Sequence, residues 1–161
     1  MEAIKTRSEI IGIRNNLKKQ KKKVVFTNGC FDLIHSGHID YLAKAKKLGD
    51  VLIVGINSDS SVRRIKGEER PIISENERGI ILSSLKPVDF VTLFDEDTPE
   101  ELIKELKPDV LVKGSDWKMD EIVGRDVVEN SGGSVQTIDF VTDQSTSKII
   151  NSILKRYAGK L

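Results

Sequence analysis

The chain has 161 residues with 26 Lys and Arg against 25 Asp and Glu, a formal charge of +1, so no global field draws it to nucleic acid or to an anionic membrane. That length suits one hydrophobic core, read as a single domain over 1–161 with residues 1–20 forming an N-terminal helix packed on it. A lone Cys30 excludes an internal disulfide and fits a reducing compartment; no stretch approaches the ~20 apolar residues that cross a bilayer, and the opening Met1-Glu2-Ala3-Ile4-Lys5 lacks the apolar core of a signal peptide, so a cytoplasmic location is expected.

Thr6-Arg7-Ser8-Glu9 has the spacing of a capping box, and Ile10, Ile13 and Leu17 continue it as the apolar stripe of a first helix. The lysines that follow, Lys18 to Lys23 around Gln20, suit a helix C-terminus and a solvated junction. Val24 to Thr27 and Val51 to Ile56 are continuous apolar runs, the pattern of parallel strands buried on both faces. Between them Ile39, Leu42, Ala43, Ala45 and Leu48 predict a helix over 39–48 with Gly49 as its cap, completing a β-α-β unit with a right-handed crossover.

Residues 57–70 read as an extended polar loop with at most one helical turn. Ser74 and Glu77 then make a second capping box for a helix over 75–85, with Ile80, Ile81, Leu82 and Leu85 inward. A third strand spans 88–94, interrupted at Asp89. Thr98 as N-cap and Pro99 at the first helical position start the next helix, which Lys107-Pro108 ends. Val110 to Val112 is a fourth strand, 120–129 a helix, and 134–138 a fifth strand; 139–144 is a polar loop before a last helix carrying Ile149, Ile150, Ile153 and Leu154. Strands alternating with helices predict an α/β fold, a doubly wound, mostly parallel five-stranded sheet with helices on both faces and a site at the C-terminal ends of its strands.

The chemistry concentrates in Thr27-Asn28-Gly29-Cys30-Phe31-Asp32-Leu33-Ile34-His35-Ser36-Gly37-His38, where a strand passes through a glycine-containing turn into a helix N-terminus that can meet a phosphate. His35 and His38, the two histidines of the chain, would both face the space above the first strand and offer N–H groups to phosphate oxygens that gain charge in a displacement at phosphorus, with Lys44 or Lys46 on the outer phosphates. Two plainer readings compete. His35 can cap the turn while His38 is an ordinary helix residue, or the pair with Asp32 can supply three zinc ligands, although His-Ser-Gly-His is not a recognised metal spacing and no cysteine cluster assists. The stretch is neither a Walker A loop nor a GxGxxG fingerprint.

His35-Ser36-Gly37-His38 resembles the HxGH signature of the nucleotidyltransferase superfamily, and Ser145-Thr146-Ser147-Lys148 resembles its second signature at the mouth of a late helix. The stretches TNGCFDLIHSGHIDYLAKAKKLGDVLIVGINSD, RRIKGEERPI, ENER and VLVKGSDW are similar, more narrowly, to the heptose 1-phosphate adenylyltransferase domain of bacterial ADP-heptose synthesis. That likeness implies a Rossmann-like fold and transfer of AMP from ATP to D-glycero-β-D-manno-heptose 1-phosphate. It also implies Mg2+ carried on phosphates and water, a heptose 7-phosphate kinase working alongside, and compatibility with a homodimer.

Carried over residue by residue, the likeness puts the backbone of Thr27, Asn28, Gly29, Cys30 and Phe31 around the α-phosphate, His35 and His38 on the triphosphate, and Lys44 on the β- or γ-phosphate. Thr146 and Ser147 would take outer oxygens, and Lys113, Gly114, Asp116 and Trp117 would face the nucleotide, Trp117 either stacking on it or covering the core. Asp32 would serve acceptor hydroxyls, or simply an Asx turn; Asn57 and Asp59 would order a loop or touch the acceptor. Arg63, with Arg64 and Arg70, would clamp the acceptor phosphate through its guanidinium. The competing functions are a cytidylyltransferase acting on glycerol 3-phosphate or another small phosphorylated alcohol, and a nucleotide-binding module without turnover.

Overall fold

The computed structural model describes residues 4–141 and 144–159, so residues 142–143 of the predicted polar loop and the first three residues lie outside the described residues. Six parallel strands form one sheet: β1 (Ile4–Lys5), β2 (Val24–Gly29), β3 (Val51–Asn57), β4 (Phe90–Phe94), β5 (Val110–Gly114) and β6 (Ser134–Ile138), in the order β1-β4-β3-β2-β5-β6. Among the described residues seven α-helices accompany them: α1 (Arg7–Lys19), α2 (Ser36–Lys46), α3 (Asp59–Lys66), α4 (Glu75–Ser83), α5 (Glu100–Leu106), α6 (Arg125–Asn130) and α7 (Thr146–Tyr157). Helices cover both faces, as the doubly wound expectation requires. The alternation of side chains along a strand divides the core: Val25 joins Leu42, Ala45, Val54 and Leu82 on one face, while Val24 and Phe26 join Ile10, Leu102, Leu106 and Val128 on the other.

The expected five strands are six, because Ile4 and Lys5 pair with Val91 and Thr92 before α1 begins, and the Thr92 hydroxyl donates to the Lys5 carbonyl. Two residues are too few for a periodicity signal. The segment expected as an extended loop contains α3, capped by Ser58, whose side chain accepts from the Ser61 N–H. Of its residues only Ser61 and Val62 are buried, so little apolar periodicity marks it. The helix expected over 120–129 breaks into a 3₁₀ turn at Met119–Glu121 and α6, because Gly124 takes φ +86° where a Cβ would meet Ile103 at 2.6 Å. Before α5 the cap position is Pro99 rather than Thr98, and no side chain caps it.

Chain connections place the site. From β2 the chain crosses through α2 to β3 on one side, and from β5 it crosses through α6 to β6 on the other. The direction therefore reverses between the adjacent strands β2 and β5, and the space above their C-terminal ends is left open by the helices leaving in opposite directions.

Candidate active site

A cleft of about 1030 Å³ opens at that reversal. Its lining includes Asn28, Gly29, Cys30, Phe31, Asp32, His35 and His38 from the end of β2 and the start of α2, Asn57 from β3, Arg70 from the segment after α3, Lys113 from β5, Asp116 and Trp117 after it, and Ser145 to Lys148 from the start of α7. The two sequence signatures, far apart in the chain, thus face one space.

The turn after β2 is built by Phe31, which adopts φ +47°. A left-handed conformation in a bulky residue costs on the order of 1–3 kcal/mol and persists only where the surroundings hold it. Here the Phe31 side chain is buried, with its ring 5.3 Å from that of His38, and the next residue, Asp32, turns inward. Helix α2 starts at Ser36, earlier than the apolar pattern suggested, so His35 occupies the N-cap and His38 the first turn.

The two imidazoles stack with centroids 4.0 Å apart and planes at 29°. Burial lowers the His38 pKa to about 4, assisted by His35, and burial lowers that of His35 as well. Both rings are neutral at pH 7, each able to donate one N–H. The Nδ1 atoms of both, together with the Asn28 Oδ1, are buried without a hydrogen-bond partner. Buried polar atoms are rarely left so, and these three belong to residues that line one cleft.

Lys113 lies beside them, 8% exposed, with its ammonium 3.5 Å from the Asn28 carbonyl and 5.4 Å from the Trp117 ring. Burial lowers its pKa to about 8, against opposing contributions from Asp116 and Cys30. At the far wall, α7 presents its N-terminus: Ser145 caps it by accepting from the Lys148 N–H at 3.2 Å, and Thr146 and Ser147 face the cleft. Its partial positive charge favours an anion there.

The other wall is tied down. Asp32 is 1% exposed, and its carboxylate accepts from the backbone N–H groups of Ile72 and Ile73 at 2.9 Å and from the Arg70 Nε at 2.5 Å. It fastens the segment before α4. Arg70, engaged through Nε, is part of the cleft lining. Asn57 is turned to Ser61 at 3.0 Å and accepts from the Cys30 thiol at 3.9 Å.

Several expected residues stand elsewhere. The Lys44 ammonium pairs with Asp40 at 2.9 Å and donates to the Asp139 carbonyl, outside the cleft lining, because it lies nearly two turns of α2 beyond His38. Lys46 pairs with Asp89 and donates to the Asp50 carbonyl, at the opposite ends of the strands. Arg63 is exposed on α3, Arg64 pairs with Asp97, and Asp59 receives Arg78; none of the three lines the cleft. Thr27 is buried with its hydroxyl on the Tyr41 hydroxyl, and Gly114 sits beneath Phe140, where a Cβ would meet the ring at 2.3 Å.

Two contributors were not among the expected site residues. Arg78, fully buried, donates to the carbonyls of Cys30, Asn57 and Ile73 and to the Asp59 carboxylate, tying the ends of β2 and β3 to the segment before α4. Its position one helical turn before Leu82, on the buried stripe of α4, was the available signal. Phe140 stacks on Tyr41 at 5.6 Å and roofs Gly114; an aromatic residue two positions beyond a strand end was its signal.

Residues 26–156 match the cytidylyltransferase-like family. The chain belongs to that family. Its relatives include the bifunctional protein HldE of Geobacter metallireducens, 55% identical over 96% of this chain and 31% of that protein, and the bifunctional protein HldE of Citrifermentans bemidjiense, 60% identical over 84% and 28%. The chain therefore spans about a third of the length of these curated relatives. A solved structure of a lipopolysaccharide core biosynthesis protein from Thermoplasma volcanium is similar at a TM-score of 0.63 and 35% identity, covering 76% of this chain and 99% of that one. A pantoate-beta-alanine ligase from Francisella tularensis, 19% identical with a TM-score of 0.62 over 88% of this chain and 67% of that one, shares the fold. As a member of the cytidylyltransferase-like family, the chain is a nucleotidyltransferase, with His35-Ser36-Gly37-His38 at the reversal point of the sheet. Among the described residues no helix is long and apolar enough to cross a membrane.

Proposed function

We propose that residues 1–161 act as one catalytic domain that transfers the adenylyl group of ATP to D-glycero-β-D-manno-heptose 1-phosphate, giving ADP-heptose and pyrophosphate in the cytoplasm. The observation that carries the reaction class is the convergence on one cleft of His35, His38 and Asn28, which keep polar atoms without partners, and the N-terminus of α7. The choice of acceptor rests on similarity to the HldE proteins and to the lipopolysaccharide core biosynthesis protein.

A phosphate monoester oxygen is already a nucleophile at neutral pH, so the reaction needs no general base. The acceptor oxygen bonds to the α-phosphorus as the bridging α–β P–O bond breaks, and the pyrophosphate leaves with that electron pair. Neutral His35 and His38 then act as hydrogen-bond donors, and Arg70, oriented by Asp32, holds the acceptor phosphate. The likeness to the heptose 1-phosphate adenylyltransferase domain implies Mg2+ held by the nucleotide's phosphates and water, where it would supply charge neutralisation for the pyrophosphate. A heptose 7-phosphate kinase working alongside the chain would supply the acceptor, and a homodimer is compatible with this scheme.

The test is pyrophosphate release with ATP or CTP, each crossed against heptose 1-phosphate and glycerol 3-phosphate. Release with ATP and heptose 1-phosphate is expected; release confined to CTP overturns the adenylyl assignment, and release confined to glycerol 3-phosphate overturns the acceptor.

A further inference from the structure

Lys113 is a buried cation with little to hold it. Among the described residues no carboxylate pairs with its ammonium, and its one hydrogen bond is the long 3.5 Å contact to the Asn28 carbonyl. The titratable groups that face it are Asp116 from the segment after β5 and Cys30 from the end of β2. Removing an ammonium from water without a close counter-charge is costly, and protein interiors avoid it unless the charge meets a partner. The missing partner is anionic and comes from the cleft, since the side chain forms part of its lining.

Position identifies which anion. Lys113 precedes the last residue of β5, and its ammonium lies over β2, whose C-terminal end runs into the turn that carries His35 and His38. Arg70 and Asp32 are held to the segment before α4, which Arg78 ties to the ends of β2 and β3, and the α7 N-terminus supplies another part of the lining. In an in-line displacement the acceptor phosphate and the leaving pyrophosphate flank the transferred phosphorus, so the group over the β2–β5 floor is the middle one.

We propose that Lys113 is a catalytic residue whose ammonium contacts a non-bridging oxygen of the transferred phosphate and stabilises the charge that builds there as the acceptor oxygen bonds and the pyrophosphate leaves. This rests on the nucleotidyltransferase reading but does not depend on which base or acceptor is used. An uncompensated buried cation also makes the empty enzyme less stable than it could be, a common cost of a prepared site.

The test compares Lys113→Met and Lys113→Arg with the wild type, on whichever nucleotide and acceptor pair gives pyrophosphate release. A wrong acceptor then shows in the wild type, and a wrong Lys113 shows as equal rates on the active pair. Lys113→Met is expected to lower kcat at least about a hundredfold while the KM for nucleotide moves less than about fivefold, to raise Tm, and to be rescued to within about tenfold by Lys113→Arg. Unchanged kcat, with or without a raised KM, overturns the proposal. Proton uptake on ATP binding at about pH 8.5, followed by calorimetry in buffers of different ionisation enthalpy, decides where a variant fails to fold or no pair turns over. Uptake by the wild type supports the contact, and its absence overturns it.

Discussion

The two walls of the cleft are built on opposite terms. On the acceptor side, Arg78 serves four acceptors and Asp32 is filled by two backbone N–H groups and Arg70. On the phosphate side, His35, His38 and Asn28 keep polar atoms without partners and Lys113 keeps a cation without a counter-charge. The saturated wall holds shape, and changes there should register first in stability. The unsaturated wall holds chemistry, and changes there should register first in turnover.

The largest expected effect breaks the saturated wall at its centre. Arg78→Met leaves the Cys30, Asn57 and Ile73 carbonyls and the Asp59 carboxylate short of a donor, and is expected to cost about 3–5 kcal/mol of unfolding free energy, read by urea denaturation. A loss below about 1 kcal/mol would mean that water replaces the guanidinium and that this wall is not held as described. On the opposite wall, His38→Ala is expected to lower kcat at least about a hundredfold, which is about 2.7 kcal/mol of transition-state stabilisation, with the fold retained because no hydrogen bond of its Nδ1 is lost. Near-normal turnover would remove His38 from the chemistry.

These two residues also mark what could be read in advance. Both histidines stood out because the residue type is scarce in the chain and sits at a strand-turn-helix junction, a local pattern with a local meaning. Strands β2, β3 and β5 were legible because burial on both faces writes itself as an unbroken apolar run. Arg78 was visible as a charge on the buried stripe of α4, but its four acceptors come from three other segments, and no local pattern reports such a convergence. Asp32 and Lys44 show the same limit: a side chain beside a motif can be spent on the protein's own backbone or on a neighbour one helical turn away. Helix α3 was missed because only Ser61 and Val62 face inward, leaving capping by Ser58 as its main signature.

A conservative change sharpens the comparison within the acceptor wall. Asp32→Asn keeps an oxygen for the Ile72 and Ile73 N–H groups but removes the charge that orients Arg70. It is expected to cost about 1–3 kcal/mol and to raise the KM for the acceptor phosphate while leaving that for nucleotide unchanged. A rise in the nucleotide KM instead would move Arg70 to the other half of the site.

The phosphate wall also carries a pH signature. His38 has a folded pKa of about 4, below the ordinary histidine value of 6.5, so between these values the unfolded chain binds more protons than the folded one. Its contribution to stability is complete above pH 6.5 and is lost as pH falls towards 4, by at most about 1.4 kcal/mol per unit. The difference in unfolding free energy between wild type and His38→Gln should therefore change across that window and be flat above it; a flat difference throughout would show that the ring is solvated in the folded protein.

The smallest effect belongs to Lys44, and it tests whether proximity to the motif is enough to place a cation in the reaction. Its ammonium is held by Asp40 and the Asp139 carbonyl, a half-exposed pair of a kind worth about 0.2–1 kcal/mol. Lys44→Ala is therefore expected to change kcat and the nucleotide KM by less than about threefold, a shift well below the scale set for removing a transition-state donor. A hundredfold loss of kcat in Lys44→Ala would require the side chain to leave Asp40 and swing over the cleft when nucleotide binds. The phosphate wall would then be assembled by its ligand rather than prepared before it arrives.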